Sequence, residues 1–206
     1  MIELSPHRTA WATAFRHEAA RLSDVLDGRV DAIEHIGSTA VPGLVAKPII
    51  DLAARAMAGV DPFALGPLLA GLGYEPNAAG PKTHAVYVRS ERARRTHILH
   101  VFGPDAWEHC NQRLFRDKLL HDASARRRYQ ELKLELARTD DGRAYTAAKL
   151  PLIEALLNEE RTARGLPPTE AWDKYGRPSR GPQATSSIST RAPSGSPTTA
   201  TVVRAG

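Results

Sequence analysis

Gly37-Ser38 and Asp51 are the residues whose types and spacing point to chemistry. They lie in the run Glu34-His35-Ile36-Gly37-Ser38-Thr39-Ala40-Val41-Pro42-Gly43-Leu44-Val45-Ala46-Lys47-Pro48-Ile49-Ile50-Asp51-Leu52. Glycine lets backbone N–H groups approach a phosphate, and a serine hydroxyl adds a donor. Twelve residues separate Ser38 from Asp51, enough for a turn and a return on the neighbouring strand. Asp51 interrupts an otherwise apolar stretch, where a carboxylate is costly to bury unless it is paired, metal-bound or facing a cleft. Phosphate donors at one strand end and an acid on the next strand form the grip of a nucleotidyl-transfer site. That chemistry uses a second carboxylate two residues further on, and the position holds Ala53.

Other residues fit the same chemistry, each with a structural alternative. His97 and His100 share one predicted strand, where a period of two sends them to opposite faces, so one of them can face the Asp51 cleft, and both only if a bulge intervenes. Either imidazole could orient a substrate group. His35 precedes the glycine–serine pair, and an imidazolium there would bind phosphate. The alternative for each histidine is a partly buried ring with its nitrogens satisfied. Tyr129 and Lys133 are four apart, as are Tyr145 and Lys149, so each pair occupies one helix face. Turned toward the strands, the two faces would supply cations to a polyphosphate. Otherwise the tyrosines pack in the core and the lysine stems run past them to water. Lys47 and Arg116 are further anion-binding candidates, with salt bridging as the alternative for both: Lys47 to Asp51, Arg116 in a structural ion pair. Asp51 alone would anchor one divalent ion, magnesium or manganese, through the ligand's own oxygens.

The elements that must position these residues are legible from periodicity. Trp11, Phe15, Ala19, Leu22 and Leu26 mark one face of a helix over Pro6–Leu26. Strands are predicted over Arg29–Ile36, Lys47–Met57, His84–Arg89 and Thr96–Phe102, with a hairpin loop over Ser90–Arg95 and a short helix over Pro62–Leu72. From Pro104 the pattern turns helical: Ala106–His121, Ser124–Arg138 and Arg143–Arg164, the last kinked or split at Pro151. A small mixed sheet flanked by helices, with further helices at the C-terminus, is an α+β arrangement. Residues 1–164 read as one domain. Residues 165–206 are rich in Pro, Ser, Thr and Gly and read as a disordered tail, with Trp172 and Tyr175 candidates for docking onto the body.

Composition narrows the partners. The net charge is +5, and the stretch from Gly165 onward, with five basic and two acidic residues, carries +3 of it. The body therefore lacks the charge excess of a nucleic-acid-binding face. No apolar run is long enough to cross a bilayer, and the N-terminus lacks a signal-peptide pattern. The single cysteine, Cys110, precludes an internal disulfide. A cytoplasmic protein whose ligand is a nucleotide or another phosphorylated small molecule is the expectation.

The segments EHIGSTAVPGLVAKPIIDL, RTHILHVF and FRDKL, with Tyr129-x-x-x-Lys133 and Tyr145-x-x-x-Lys149, resemble the GrpB family, a branch of the nucleotidyltransferase superfamily. The resemblance spans about Ser5 to Arg161. It implies a nucleotidyltransferase-like sheet and a cleft framed by Gly37, Ser38, Asp51 and the histidine strand. It also implies that a non-acidic residue at position 53 is a trait of the family. Two readings stand: a metal-dependent nucleotide-binding protein or transferase, and a nucleotide- or phosphate-sensing module without turnover, which Ala53 favours. A third, an adaptor acting through the tail, rests on composition alone.

Overall fold

In a computed structural model, which describes residues 2–138 and 141–170, the strands form one five-stranded mixed sheet. The strands are β1 (Val30–Ile36), β2 (Ile50–Ala56), β3 (Tyr74–Pro76), β4 (Ala85–Glu91) and β5 (Arg94–Phe102). Their spatial order is β1-β2-β5-β4-β3. Only the β2–β5 pair is parallel. The helices are α1 (Ala10–Val25), α2 (Gly66–Ala70), α3 (Pro104–Trp107), α4 (Asn111–His121), α5 (Ala123–Leu136) and α6 (Gly142–Ala163). The expected α+β class holds.

Alternation along β2 divides the interior. Ile50, Leu52, Ala54 and Ala56 face a core shared with Trp11 and Leu22 of α1 and Leu69 of α2. Ala53 faces the other way, packing with Ile36, Phe102, Trp107 and Cys110. A third cluster explains why the connection between β1 and β2 is long. Val41 and Leu44, inside that connection, are fully buried against Leu119, Ala125, Tyr129 and Leu156 of the C-terminal helices. The connection is therefore part of a core, and it docks the helical layer onto the sheet.

Several boundaries differ from the sequence expectation. The Ser90–Arg95 loop shrinks to Arg92 and Ala93, both at positive φ (50° and 63°), and the flanking residues pair as strand. Two consecutive left-handed residues match the twist of a tight hairpin, at a steric cost for residues carrying a Cβ. β3 escapes detection because it has three residues and ends in Pro76, which an edge strand tolerates. The predicted helix over Ala106–His121 is two pieces, α3 and α4. Conversely, α6 runs through Pro151 without dividing. Both Pro151 and Ala147, whose carbonyl loses its donor there, are exposed, so water can satisfy that carbonyl.

Hydrogen bonds continue past Arg164. The Asn158 side chain exchanges two hydrogen bonds with the backbone of Thr169, at 2.8 and 2.9 Å, and Arg161 donates to the Pro167 carbonyl at 2.6 Å. The remainder of the predicted tail, with Trp172 and Tyr175, lies outside the described residues. Among the described residues no helix is long and apolar enough to cross a membrane.

Candidate anion site

β1 ends at Ile36, which pairs with Asp51 across the antiparallel ladder. The next residue, Gly37, turns the chain at φ 70° into a short 3₁₀ turn, Ser38–Ala40. A Cβ at Gly37 would stand 2.3 Å from Asp51 Oδ2, so glycine is required both for the dihedral angle and for the close approach. Thr39, buried, donates its hydroxyl to the Ile49 carbonyl at 3.1 Å. With that proton committed, the Thr39 oxygen accepts from His35 Nε2 at 3.0 Å. His35 stacks on Phe15 of α1, with ring centres 4.7 Å apart. Burial, with Arg116 and His7 adding to it, pushes its pKa down to about 4. His35 is thus a neutral donor that pins the turn to the start of β2, rather than an imidazolium facing a phosphate.

The helical layer brings the two tyrosine–lysine faces onto this turn. Tyr129 of α5, buried, is hydrogen-bonded to Ser38 and lies close enough to Asp51 to feel its charge, with the Tyr145 phenol nearby. Burial, chiefly, raises its pKa. Lys133, one helical turn on and 2% exposed, donates to the Val45 carbonyl, while the Val45 N–H donates to Gln130 at 3.2 Å. The Lys133 ammonium stands 5.2 Å from the Tyr129 ring centre. Tyr145 of α6 carries two ammonium groups over its ring: Lys149 at 4.2 Å and Lys47 at 4.7 Å. Burial pushes the Tyr145 hydroxyl up to about 12. Burial, with repulsion from Lys149 and Lys47, lowers the Lys133 pKa to about 7 against the opposing pull of Asp51. Burial and the nearby Arg95 lower that of Lys47. Three ammonium groups, two phenols, a serine and one carboxylate converge, with Ser38, Lys47, Asp51 and Lys149 half-buried at the surface.

Other predicted residues lie apart from this cluster. His97 points to the opposite face of the sheet, toward Glu18 of α1, and its Nδ1 is 3.0 Å from Thr96 Oγ1. His100 shares the Asp51 face but pairs with Ala53, one step further along, and its Nδ1 meets His84 Nε2 at 3.0 Å in the sheet's interior. Arg116 adopts the ion-pair alternative: it contacts Glu34 and Asp117, each at 2.7 Å, and donates to the His35 carbonyl at 3.0 Å. Sequence reading missed Glu34, which sits beside Ala53 on β1 and also receives Arg113 at 2.9 Å. Its one signal was alternation along β1, which puts Glu34 on the Asp51 side. A shallow depression elsewhere, between Phe63, Pro76 and Lys82, contains none of these residues.

Comparison with known proteins settles the ancestry. Residues 1–159 match the GrpB protein family. The chain belongs to the GrpB family. A UPF0157 protein of Pseudomonas aeruginosa is 37% identical over 172 residues, covering 81% of this chain and 70% of that one. The crystal structure of GrpB from Enterococcus faecalis superposes with a TM-score of 0.69 at 27% identity, over 79% of this chain and 99% of that one. A fainter overlap, TM-score 0.41 at 12% identity over 65% of this chain and 44% of the other, is with the Cid1 poly(U) polymerase bound to MgGTP.

In this GrpB chain the donor set does not suit a resident divalent ion. Magnesium and manganese prefer arrays of oxygen ligands. Asp51 is the carboxylate at the turn, Ala53 supplies none, and Glu34 is held by two arginines. Among the described residues no three His, Cys, Asp or Glu side chains converge as a metal-binding group. The surrounding ammonium groups repel a dication and attract an anion.

Proposed function

We propose that this GrpB-family protein binds a nucleotide or another phosphorylated small molecule at the Ser38–Asp51 turn. The observation that carries the reading is the convergence of Lys47, Lys133 and Lys149, from a loop and two helices, beside that turn. Gly37 and Ser38 supply donors of the kind phosphate oxygens take, and the lysines supply charge. Tyr129 and Tyr145 hold the lysine ammonium groups over their rings, while Asp51 selects the ligand's orientation through repulsion or a shared proton. Ala53 and the engaged Glu34 favour binding over two-metal transfer.

A thermal-shift panel of nucleoside mono-, di- and triphosphates tests the reading, because a ligand bound only by the native state raises the melting temperature. A rise with at least one nucleotide that is lost in Lys149→Met supports it. A flat panel rejects it. Release of pyrophosphate from a bound triphosphate would mark transfer rather than sensing.

A further inference from the structure

We infer that the site takes its phosphorylated ligand as a free anion, its charge met by Lys47, Lys133 and Lys149 rather than by a bound metal ion. This rests on the phosphate-binding reading and adds what neutralises the ligand. The cation side is weak. The acid that would share a metal with Asp51 is replaced by Ala53, which is fully buried and packed against Phe102, Trp107 and Cys110. The nearest alternative by register, Glu34, is gripped by Arg113 through Nε and Nη2 at 3.0 and 2.9 Å, and by Arg116 at 2.7 Å. Freeing it would leave two half-buried guanidinium groups without that partner.

The anion side is strong. Like charges gathered at a partly desolvated place raise the free energy of the empty site, and the cost falls when an anion enters. Lys133 lies in the interior with Lys149 and Lys47 as electrostatic neighbours and Asp51 as the opposing carboxylate. The Tyr145 ring accepts the ammonium groups of Lys47 and Lys149 on its π system. The half-buried Ser38, tied to Tyr129, borders the same place. A divalent ion arriving with the ligand would bring two positive charges into this repulsion and would cancel ligand charge that the lysines otherwise meet.

Isothermal titration of the full chain with tripolyphosphate, and separately with ATP, in EDTA and in excess Mg²⁺ decides the matter. The expected result is binding in EDTA at least as tight as in Mg²⁺. Asp51→Asn, which removes a like charge without changing shape, should tighten binding about two- to fivefold, and Lys149→Met should weaken it about tenfold. Unchanged circular dichroism shows that each variant folds. Binding that requires Mg²⁺ or Mn²⁺, or that Asp51→Asn abolishes, overturns the inference while leaving the phosphate-binding reading intact. No binding of either probe in either buffer overturns both.

Discussion

At the residue scale, Gly37 and Lys133 carry the sharpest consequences. Gly37→Ala places a Cβ 2.3 Å from the Asp51 carboxylate on a backbone at φ 70°, so the turn and the acid cannot both keep their positions. The left-handed dihedral alone costs about 1–2 kcal/mol, and the collision adds to it. Urea denaturation should show a loss of about 2 kcal/mol or more, and an unshifted midpoint would mean that Asp51 does not crowd the turn. Lys133 makes stability depend on pH. Its ammonium titrates near pH 7 in the fold against an ordinary value of 10.5. Between those values the unfolded chain holds a proton that the native protein has released, so native stability rises with pH across that window. The slope is at most about 1.4 kcal/mol per pH unit. In Lys133→Met this component disappears. Parallel slopes for the wild type and the variant between pH 7 and 9 would show that Lys133 titrates normally.

At the element scale, α4 is the strut between the sheet and the cluster. Phe115 meets the Tyr129 ring edge-on at 5.1 Å, and the adjacent Arg116 holds the end of β1 through Glu34 and the His35 carbonyl. Glu34→Ala leaves Arg113 and Arg116 without that carboxylate, and because both are only partly buried the loss should be about 1–3 kcal/mol. Differential scanning calorimetry reads it directly; a melting temperature equal to the wild type would make the network ornamental. The β4–β5 turn offers the opposite sign. Ala93 sits at φ 63° with a Cβ, so Ala93→Gly should stabilise the hairpin by up to about 1 kcal/mol, and a loss of stability would refute that strain. How much of the site was legible in the sequence depends on the same geometry. The i, i+4 tyrosine–lysine pairs were legible because a helix puts residues four apart on one side whatever it packs against. The histidines were not, because a period of two says that His97 and His100 diverge but not which one meets Asp51. Arg116 was ambiguous because an arginine near acids and an arginine near an anion have the same sequence. The tight hairpin was hidden because Arg92 and Ala93 are not the residues that announce such turns.

At the scale of the whole molecule, the cluster exists only while the helical layer stays docked. Its residues run from Gly37 to Lys149, and the surface joining them is the core in which Val41 and Leu44 meet Leu119, Tyr129 and Leu156. A second fastening lies at the far end of α6. Arg161, largely buried, donates to the Pro167 and His109 carbonyls and to Asn111 Oδ1 at 2.9 Å, while Asn158 clasps the backbone of Thr169. Residues 165–170 therefore join the ends of α6 and α4. Composition hides this role, because the stretch has a single large aliphatic, Leu166, among Gly, Pro, Thr and Glu. A chain ending at Arg164 loses the Pro167 and Thr169 contacts and exposes Arg161, whereas one ending at Glu170 keeps them. The shorter chain should be less stable by about 1–3 kcal/mol, two or three hydrogen bonds at roughly 1 kcal/mol each. Because α6 also carries Tyr145 and Lys149, loosening its end should weaken tripolyphosphate binding in parallel with the fall in melting temperature. Equal melting temperatures for the two chains would place the structural boundary at Arg164. A lower melting temperature with unchanged binding would show that the lysine cluster is held by the inner core of Val41 and Leu44 alone.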